Sequence, residues 1–191
     1  MSKARTDTVK TDNANLPMKA RLRADNLPRG LKVVRVLDAY HGTGAVWREV
    51  ARRKPGVRFD VVGIDKKAKS TDGFLGDNMK WLPALPLDQF DVIDLDAYGC
   101  PFAQLELLFA RKFNGMVFVT FNQTVFGCLP NALLQALGFT KAMVRKCPTM
   151  FYANGQAKLF GWLANNEVRK VHGFFRQNGV NSRAYFVFTT P

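Results

Sequence analysis

The stretch Asp38-Ala-Tyr-His-Gly42-Thr-Gly44-Ala limits the folds open to this chain more than any other, because of what stands on either side of it. Before it, LKVVRVLDAY reads as a buried, Val-rich strand that ends at Asp38. After it, AVWREVARRK places Val46, Trp47, Val50 and Ala51 on one helical face and Arg48, Arg52 and Arg53 on the other, with Gly56 past its end as a stop. A strand that hands over to a helix through a glycine turn is the repeating unit of a parallel α/β sheet. Glycines there let the backbone pass close to a ligand. The helix start adds unpaired N–H groups and the positive end of its dipole. Such a turn suits a pyrophosphate or an amino-acid carboxylate.

The alternation continues along the chain. FDVVGID reads as a second strand, GFLGD as a short third and FDVIDLD as a fourth. QLELLFARK is a helix and MVFVTF a fifth strand. LPNALLQALGF is a helix begun by proline and ended by glycine, and AKLFGWLANNEVRKV is another. The tail, GFFRQ followed by NSRAYFVFTT, reads as two strands joined by a polar turn. The expected architecture is α/β, a doubly wound, Rossmann-like, mostly parallel sheet closed by a C-terminal antiparallel hairpin. The helix expected between the second and third strands is short or missing. Residues 1–30 are polar, broken by Pro17 and Pro28, and carry seven Lys/Arg and three Asp. They read as a basic flexible arm with one helical turn around Met18–Arg23, ahead of a single domain over 31–191.

Two details select the ligand of the glycine turn. A dinucleotide fingerprint wants a third glycine where Trp47 stands. A carboxylate at Asp38 would repel a pyrophosphate, but it can accept a hydrogen bond from an amino-acid ammonium. S-adenosylmethionine carries that ammonium and no phosphate, and is the expected cofactor. Asp38, Gly42 and Gly44 would hold its methionine end, with His41 inside the turn as a further contact. Asp65, at the tip of the second strand, would accept from the ribose hydroxyls. Asp77 and Asn78, after the third strand, would meet the adenine amine and ring edge. Ligands of open α/β sheets bind at this edge, so residues at successive strand tips support one another.

The fourth strand runs into Asp94-Leu-Asp96-Ala-Tyr98-Gly-Cys-Pro101. Asp94 and Asp96 are expected to face opposite sides of the strand, one toward the cofactor and one toward the acceptor. Asp96-Ala-Tyr98 resembles the Asp-Pro-Pro-Tyr signature of methyltransferases that act on exocyclic amines of bases. IDLDAYGCP followed by a helix and then GMVFVTFNQT resembles the tRNA guanine dimethyltransferase family, over roughly residues 33–124. The resemblance implies the class I methyltransferase fold and methyl transfer to a guanine exocyclic amine. It also implies that Asp96 engages the amine and that Tyr98 packs on a flipped-out base. The sequence departs from that family at Ala97, where proline is usual, in the shortened helix after Asp65, and in lacking a large C-terminal tRNA-binding domain. RNA, DNA and a free nucleotide are all left open as acceptors. Phe121 and Asn122, at the tip of the fifth strand, are expected to bind substrate, with Phe126, Phe151 and Tyr152 as further stacking candidates. Cys100 reads as a packing residue, and His172 is given no role.

Charge names the partner class. The chain has 28 Lys+Arg against 15 Asp+Glu, a net charge of +13 and a pI near 10.0. Of the 15 acidic residues only Glu167 lies beyond Glu106, while ten Lys/Arg lie there, so the C-terminal half is the more cationic. A nucleic acid is the expected partner. Three cysteines, Cys100, Cys128 and Cys147, form no C-x-x-C pair and suit a reducing compartment. No metal is expected, no apolar run reaches bilayer length, and a cytoplasmic protein is expected. A compact core without a recognition domain is consistent with a phage or mobile-element enzyme. The competing readings are a non-catalytic nucleic-acid-binding module on a degenerate methyltransferase fold, and a small-molecule methyltransferase whose charge is incidental.

Overall fold

The computed structural model describes residues 15–67, 73–124, 130–177 and 181–190. Seven strands, β1 (Val33–Asp38), β2 (Arg58–Asp65), β3 (Gly73–Leu75), β4 (Val92–Leu95), β5 (Met116–Thr124), β6 (Val171–Gln177) and β7 (Asn181–Thr189), form one sheet in the order β3-β2-β1-β4-β5-β7-β6. β1 to β5 pair in parallel, and β7 runs antiparallel to both of its neighbours. This is the expected doubly wound sheet with its antiparallel hairpin. The chain leaves β1 toward β2 on one side and returns to β4 on the other. The crevice in which such folds take ligands therefore opens at the C-terminal ends of β1 and β4.

Strand alternation divides the core in two. Val34, Val36, Val92, Phe118 and Val187 point to one face, where they meet Trp47 and Val50 of α2 (Ala45–Arg53) and Ala20 and Ala24 of α1 (Leu16–Asn26). Leu37, Ile64, Ile93, Leu95, Val117 and Val119 point to the other. There they pack on α4 (Phe102–Ala110), α5 (Asn131–Ala136) and α7 (Pro148–Asn165). Trp162 of α7 lies between Phe102 and Phe109 of α4, with ring centroids 5.0 and 5.4 Å away. Short helices α3 (Asn78–Trp81) and α6 (Lys141–Lys146) complete the set.

The structure corrects the sequence reading of the elements at several points, the short α3 among them. Residues 16–26, read as part of a flexible arm with one helical turn around Met18–Arg23, form the longer α1, whose Ala20, Arg23 and Ala24 are buried against the sheet and α2; residues 1–14 lie outside the described residues. α7 begins at Pro148, so Phe151 and Tyr152 belong to a helix rather than to the loop before it, their side chains lying outside the described residues. α6 was not expected at all. Its N-cap is Thr140, whose hydroxyl accepts from the Met143 N–H, and Gly138 just before it adopts a φ of +81° that ends α5.

Candidate active site

The tips of β1, β2, β4 and β5 bring together most of the residues singled out from sequence. Asp38 ends β1 opposite Gly63 of β2 and Asp94 of β4. Gly42 and Gly44 take left-handed φ values of 55° and 71°, which glycine adopts without strain. Asp65 Oδ2 accepts the Gly42 N–H at 2.8 Å and Oδ1 accepts that of Lys67 at 2.8 Å, tying β2 to the turn. No side chain caps α2, whose N-cap is Gly44. Its first N–H groups have no intrahelical acceptor and face the crevice with the positive dipole end.

His41 works inward. Its Nδ1 lies 3.1 Å from Asp38 Oδ2, and its ring fills the space beside Gly44 and Gly63, where an added Cβ would collide with it. The hydrogen bond to Asp38 raises the imidazole above its ordinary pKa. Asp38 Oδ1 accepts the Tyr40 N–H as well. His41 is thus placed to fix Asp38 and the turn.

Asp77 caps α3 through the Met79 N–H and pairs with Lys66 at 2.9 Å. Asn78, read as an adenine contact, is buried, and its carboxamide is engaged on both sides. Nδ2 donates to the Ala39 carbonyl at 3.0 Å, and Oδ1 accepts from Gln104 Nε2 at 2.9 Å. It braces β1 against α4. The exposed surface nearby is instead apolar, formed by Leu75 at the β3 tip and Met79 in α3, which the sequence reading passed over.

Asp94 and Asp96 share one face, as alternate strand residues must, so the expectation of opposite faces is overturned. Both lie beneath α1. Arg23 Nε and Nη2 bind Asp94 Oδ2 and Oδ1 in a two-pronged pair, each bond 2.6 Å, with both side chains 1% exposed. Trp47 Nε1 donates to the same carboxylate at 2.9 Å. Burial pushes the Asp94 carboxyl up, against the pull of the Arg23 guanidinium that grips both of its oxygens. Asp94, expected at the catalytic centre, is the anchor of α1, closed to any acceptor.

Asp96 is the more open of the two, at 11% side-chain exposure. Lys19 Nζ of α1 donates to its Oδ2 at 2.9 Å, and the Thr120 hydroxyl of β5 donates to its Oδ1. Burial alone would raise this carboxyl. The Arg23 and Lys19 cations and the Thr120 hydroxyl outweigh it and hold Asp96 below the usual carboxylate range. On β5, Asn122 shares the face of Thr120; its N–H donates to the Gly99 carbonyl at 3.0 Å, and its buried Oδ1 has no hydrogen-bond partner among the described residues. Tyr98 stands beside this corner, 78% exposed. Phe121, expected to stack on substrate, points to the other face and is buried in the core. Phe126 lies outside the described residues. Cys100 packs below the loop, and burial pushes its thiol up to about 12, which suits the packing role.

Lys19, Arg23, Trp47 and Thr120 are the members of the site that sequence reasoning missed. Among the described residues no cluster of His, Cys, Asp or Glu is arranged to hold a metal ion, and no helix is long and apolar enough to cross a membrane.

Comparison with solved structures sets this geometry in context. The N-terminal domain of EvdMO1, solved with S-adenosylhomocysteine bound, superposes with a TM-score of 0.55 at 12% identity over 95% of this chain and 85% of that one. A geranyl diphosphate methyltransferase solved with S-adenosylmethionine matches at 0.54 and 9% identity, over 92% and 85% of the two chains. A protein from Listeria monocytogenes described as a class I S-adenosylmethionine-dependent methyltransferase matches at 0.54 and 13% identity. This chain has the class I methyltransferase fold. It spans 58% of the Listeria protein's length, while 92% of its own residues are covered. No family model and no curated protein matches the sequence. Within the methyltransferase fold, the residues present suit S-adenosylmethionine. The uncapped start of α2 suits a carboxylate, Asp38 an ammonium, Asp65 a pair of hydroxyls, and Leu75 with Met79 a flat apolar ring.

Proposed function

We propose that the protein is an S-adenosylmethionine-dependent methyltransferase acting on an exocyclic amine of a nucleobase in RNA or DNA. The observation that carries this reading is the pairing of an ionised Asp96 with the buried Oδ1 of Asn122, partnerless among the described residues, beside the exposed ring of Tyr98. Two acceptors at one corner match the two N–H groups of an aromatic amine, and an exposed ring matches a base. S-adenosylmethionine, held by Asp38, Gly42, Gly44 and Asp65, supplies the methyl group.

The lone pair of such an amine is delocalised into its ring, so it must be held pyramidal and in line. Asp96 keeps acceptor capacity beyond its bonds to Lys19 and Thr120, because a carboxylate offers about four lone-pair positions. Its depressed pKa makes it a weak base. It fixes the nitrogen by accepting one N–H, Asn122 accepts the other, and the N–H proton, strongly acidic once the nitrogen carries the methyl group, passes to Asp96 and from there to solvent. Positioning and electrostatic stabilisation supply the acceleration.

The test is calorimetric titration with S-adenosylmethionine and S-adenosylhomocysteine, with NAD as control, followed by transfer of labelled methyl to tRNA, DNA and free nucleosides. Micromolar binding and label in a polynucleotide are expected. Failure to bind either compound would overturn the reading. A small-molecule acceptor is the second reading, favoured by α1 lying over Asp96 with Lys19 only 12% exposed. Label in nucleosides or other small amines, with none in polynucleotides, would establish it.

A further inference from the structure

The acidic and basic residues of the described surface are unevenly paired. On α2, Arg52 and Arg53 both bind Glu49, at 2.7 and 2.9 Å. Arg35 binds Asp91 and Arg58 binds Asp60. Lys54, Arg169 and Lys170 have no carboxylate partner among the described residues, but α6 gathers three such cations in six residues. Lys141, Arg145 and Lys146 are exposed along its six residues, and among the described residues none of the three pairs with a carboxylate. Lys158 of α7 adds a fourth exposed cation. Its Nζ lies over the Phe139 ring at 5.7 Å, at the corner where α5 leads into α6. Met143, 41% exposed, lies among the three α6 cations. Between Glu106 and Glu167 the sequence has no acidic residue to neutralise them.

Chain direction places this cluster at the edge that carries the site. β6 runs parallel to β5, since both are antiparallel to β7, and its first residue, Val171, pairs with Phe188, which pairs with Val117 near the start of β5. α7 therefore runs toward the far edge of the sheet, with Trp162 already against the middle of α4. Its beginning, and α6 before it, stand toward the edge where β5 ends, the edge that also carries Asp96 and Asn122, but on the α4 face of the sheet, whereas those two lie on the α1 face, so a strand reaching Asp96 must cross that edge. The paired arginines of α2 are at the opposite edge, because α2 starts at the glycine turn and runs away from it.

We propose that α6, with Lys158 of α7, is the docking surface for the phosphate backbone of a single-stranded nucleic acid whose base enters at Asp96. This rests on the proposed nucleobase acceptor. Cations without acidic partners release counterions when they meet phosphates, whereas paired ones must first break their pair. A single strand presents its base without the cost of unpairing it, and exposed apolar and aromatic side chains such as Met143 and Tyr98 give its bases surfaces to lie on.

The experiment measures fluorescence anisotropy of a short labelled RNA, and of its DNA counterpart, with the full chain across a salt series. The variants are Lys141→Glu/Arg145→Glu/Lys146→Glu, the same three positions changed to Gln, and Arg52→Glu/Arg53→Glu as the control at the far edge. S-adenosylhomocysteine affinity is measured for each as a check on folding. The Glu triple variant is expected to lose affinity about ten-fold or more, with the slope of log K against log salt falling by about 2. The Gln variant should fall between, and the α2 variant should match the parent. Equal loss at both edges, or none at α6, overturns the docking surface while leaving methyl transfer standing. Parent protein that binds S-adenosylhomocysteine but prefers phosphatidylserine vesicles to every oligonucleotide overturns the docking surface together with the nucleic-acid acceptor. Oligonucleotide binding through α6 without S-adenosylhomocysteine binding upholds the surface and overturns methyl transfer.

Discussion

Asp94 and Asp96 differ in what their neighbours leave available. Arg23 and Trp47 enclose Asp94 completely, so removing one partner leaves a buried charge alone. Arg23→Met is expected to lose about 3–5 kcal/mol, while Arg23→Met/Asp94→Leu, which removes both charges, should recover most of it in urea denaturation. Asp96 keeps room for a substrate N–H. Asp96→Asn should reduce transfer by at least about 100-fold while S-adenosylhomocysteine affinity stays near the parent value, since the change removes the charge proposed to hold the amine. Lys19→Met takes away one of the cations that depress Asp96, so its carboxyl pKa rises. The acid limb of kcat/KM should then move to higher pH, and an unmoved limb would show that Lys19 does not act through Asp96. His41 gives a pH dependence of stability. Its folded pKa is raised by Asp38, so its contribution is complete below about 6.5 and is lost as pH rises through the higher folded value. The melting-temperature gap between the parent and His41→Asn is therefore expected to be wider at acid than at alkaline pH. Sequence spacing put Asp38, Asp65 and Asp96 at or just past strand tips, where the structure has them. It could not separate Asp94 from Asp96, because the difference between them is made by Arg23, far away in the chain.

At the scale of elements, α1, read as a single turn, and α6, not read at all, share a cause. α1 buries two alanines and an arginine, and none of these carries the large apolar periodicity that marks an amphipathic helix. Its partner is a carboxylate, so its burial becomes legible only once Asp94 is placed beneath it. α6 buries no residue and depends on its Thr140 cap and on its neighbours, again leaving no apolar stripe to read. β1, β4 and β5, by contrast, are written in runs of Val, Ile, Leu and Phe that few other structures accommodate. The glycine turn offers a sharp test of element packing. A Cβ on Gly63 would strike the His41 ring, whereas one on Gly56 meets nothing within 4 Å. Gly63→Ala should lower the melting temperature and weaken S-adenosylhomocysteine binding through the displaced turn. Gly56→Ala should leave both unchanged.

For the molecule as a whole, the doubly wound order and the closing hairpin follow from alternating patterns that the sequence displays openly. The faces of the sheet were less legible, because they depend on which helices cover them. Truncation through residue 30, which the arm reading would treat as mild, removes α1, uncovers Val34, Val36 and Phe118 and strands Asp94. It should reduce urea stability severely, and native-like stability of the truncated protein would show α1 to be dispensable. One further consequence follows from where β7 lies. It is made after β6, yet it occupies an interior place between β5 and β6. Asn15, ahead of α1, reaches the Tyr185 hydroxyl across 170 positions of sequence. On the ribosome, β5 must wait as an open edge, and α1 must wait for part of its floor, until Thr189 has emerged. Nascent chains halted before that point expose an unpaired strand rich in Val and Phe, and the corner of Asp96 and Asn122 stays without the strand that braces β5.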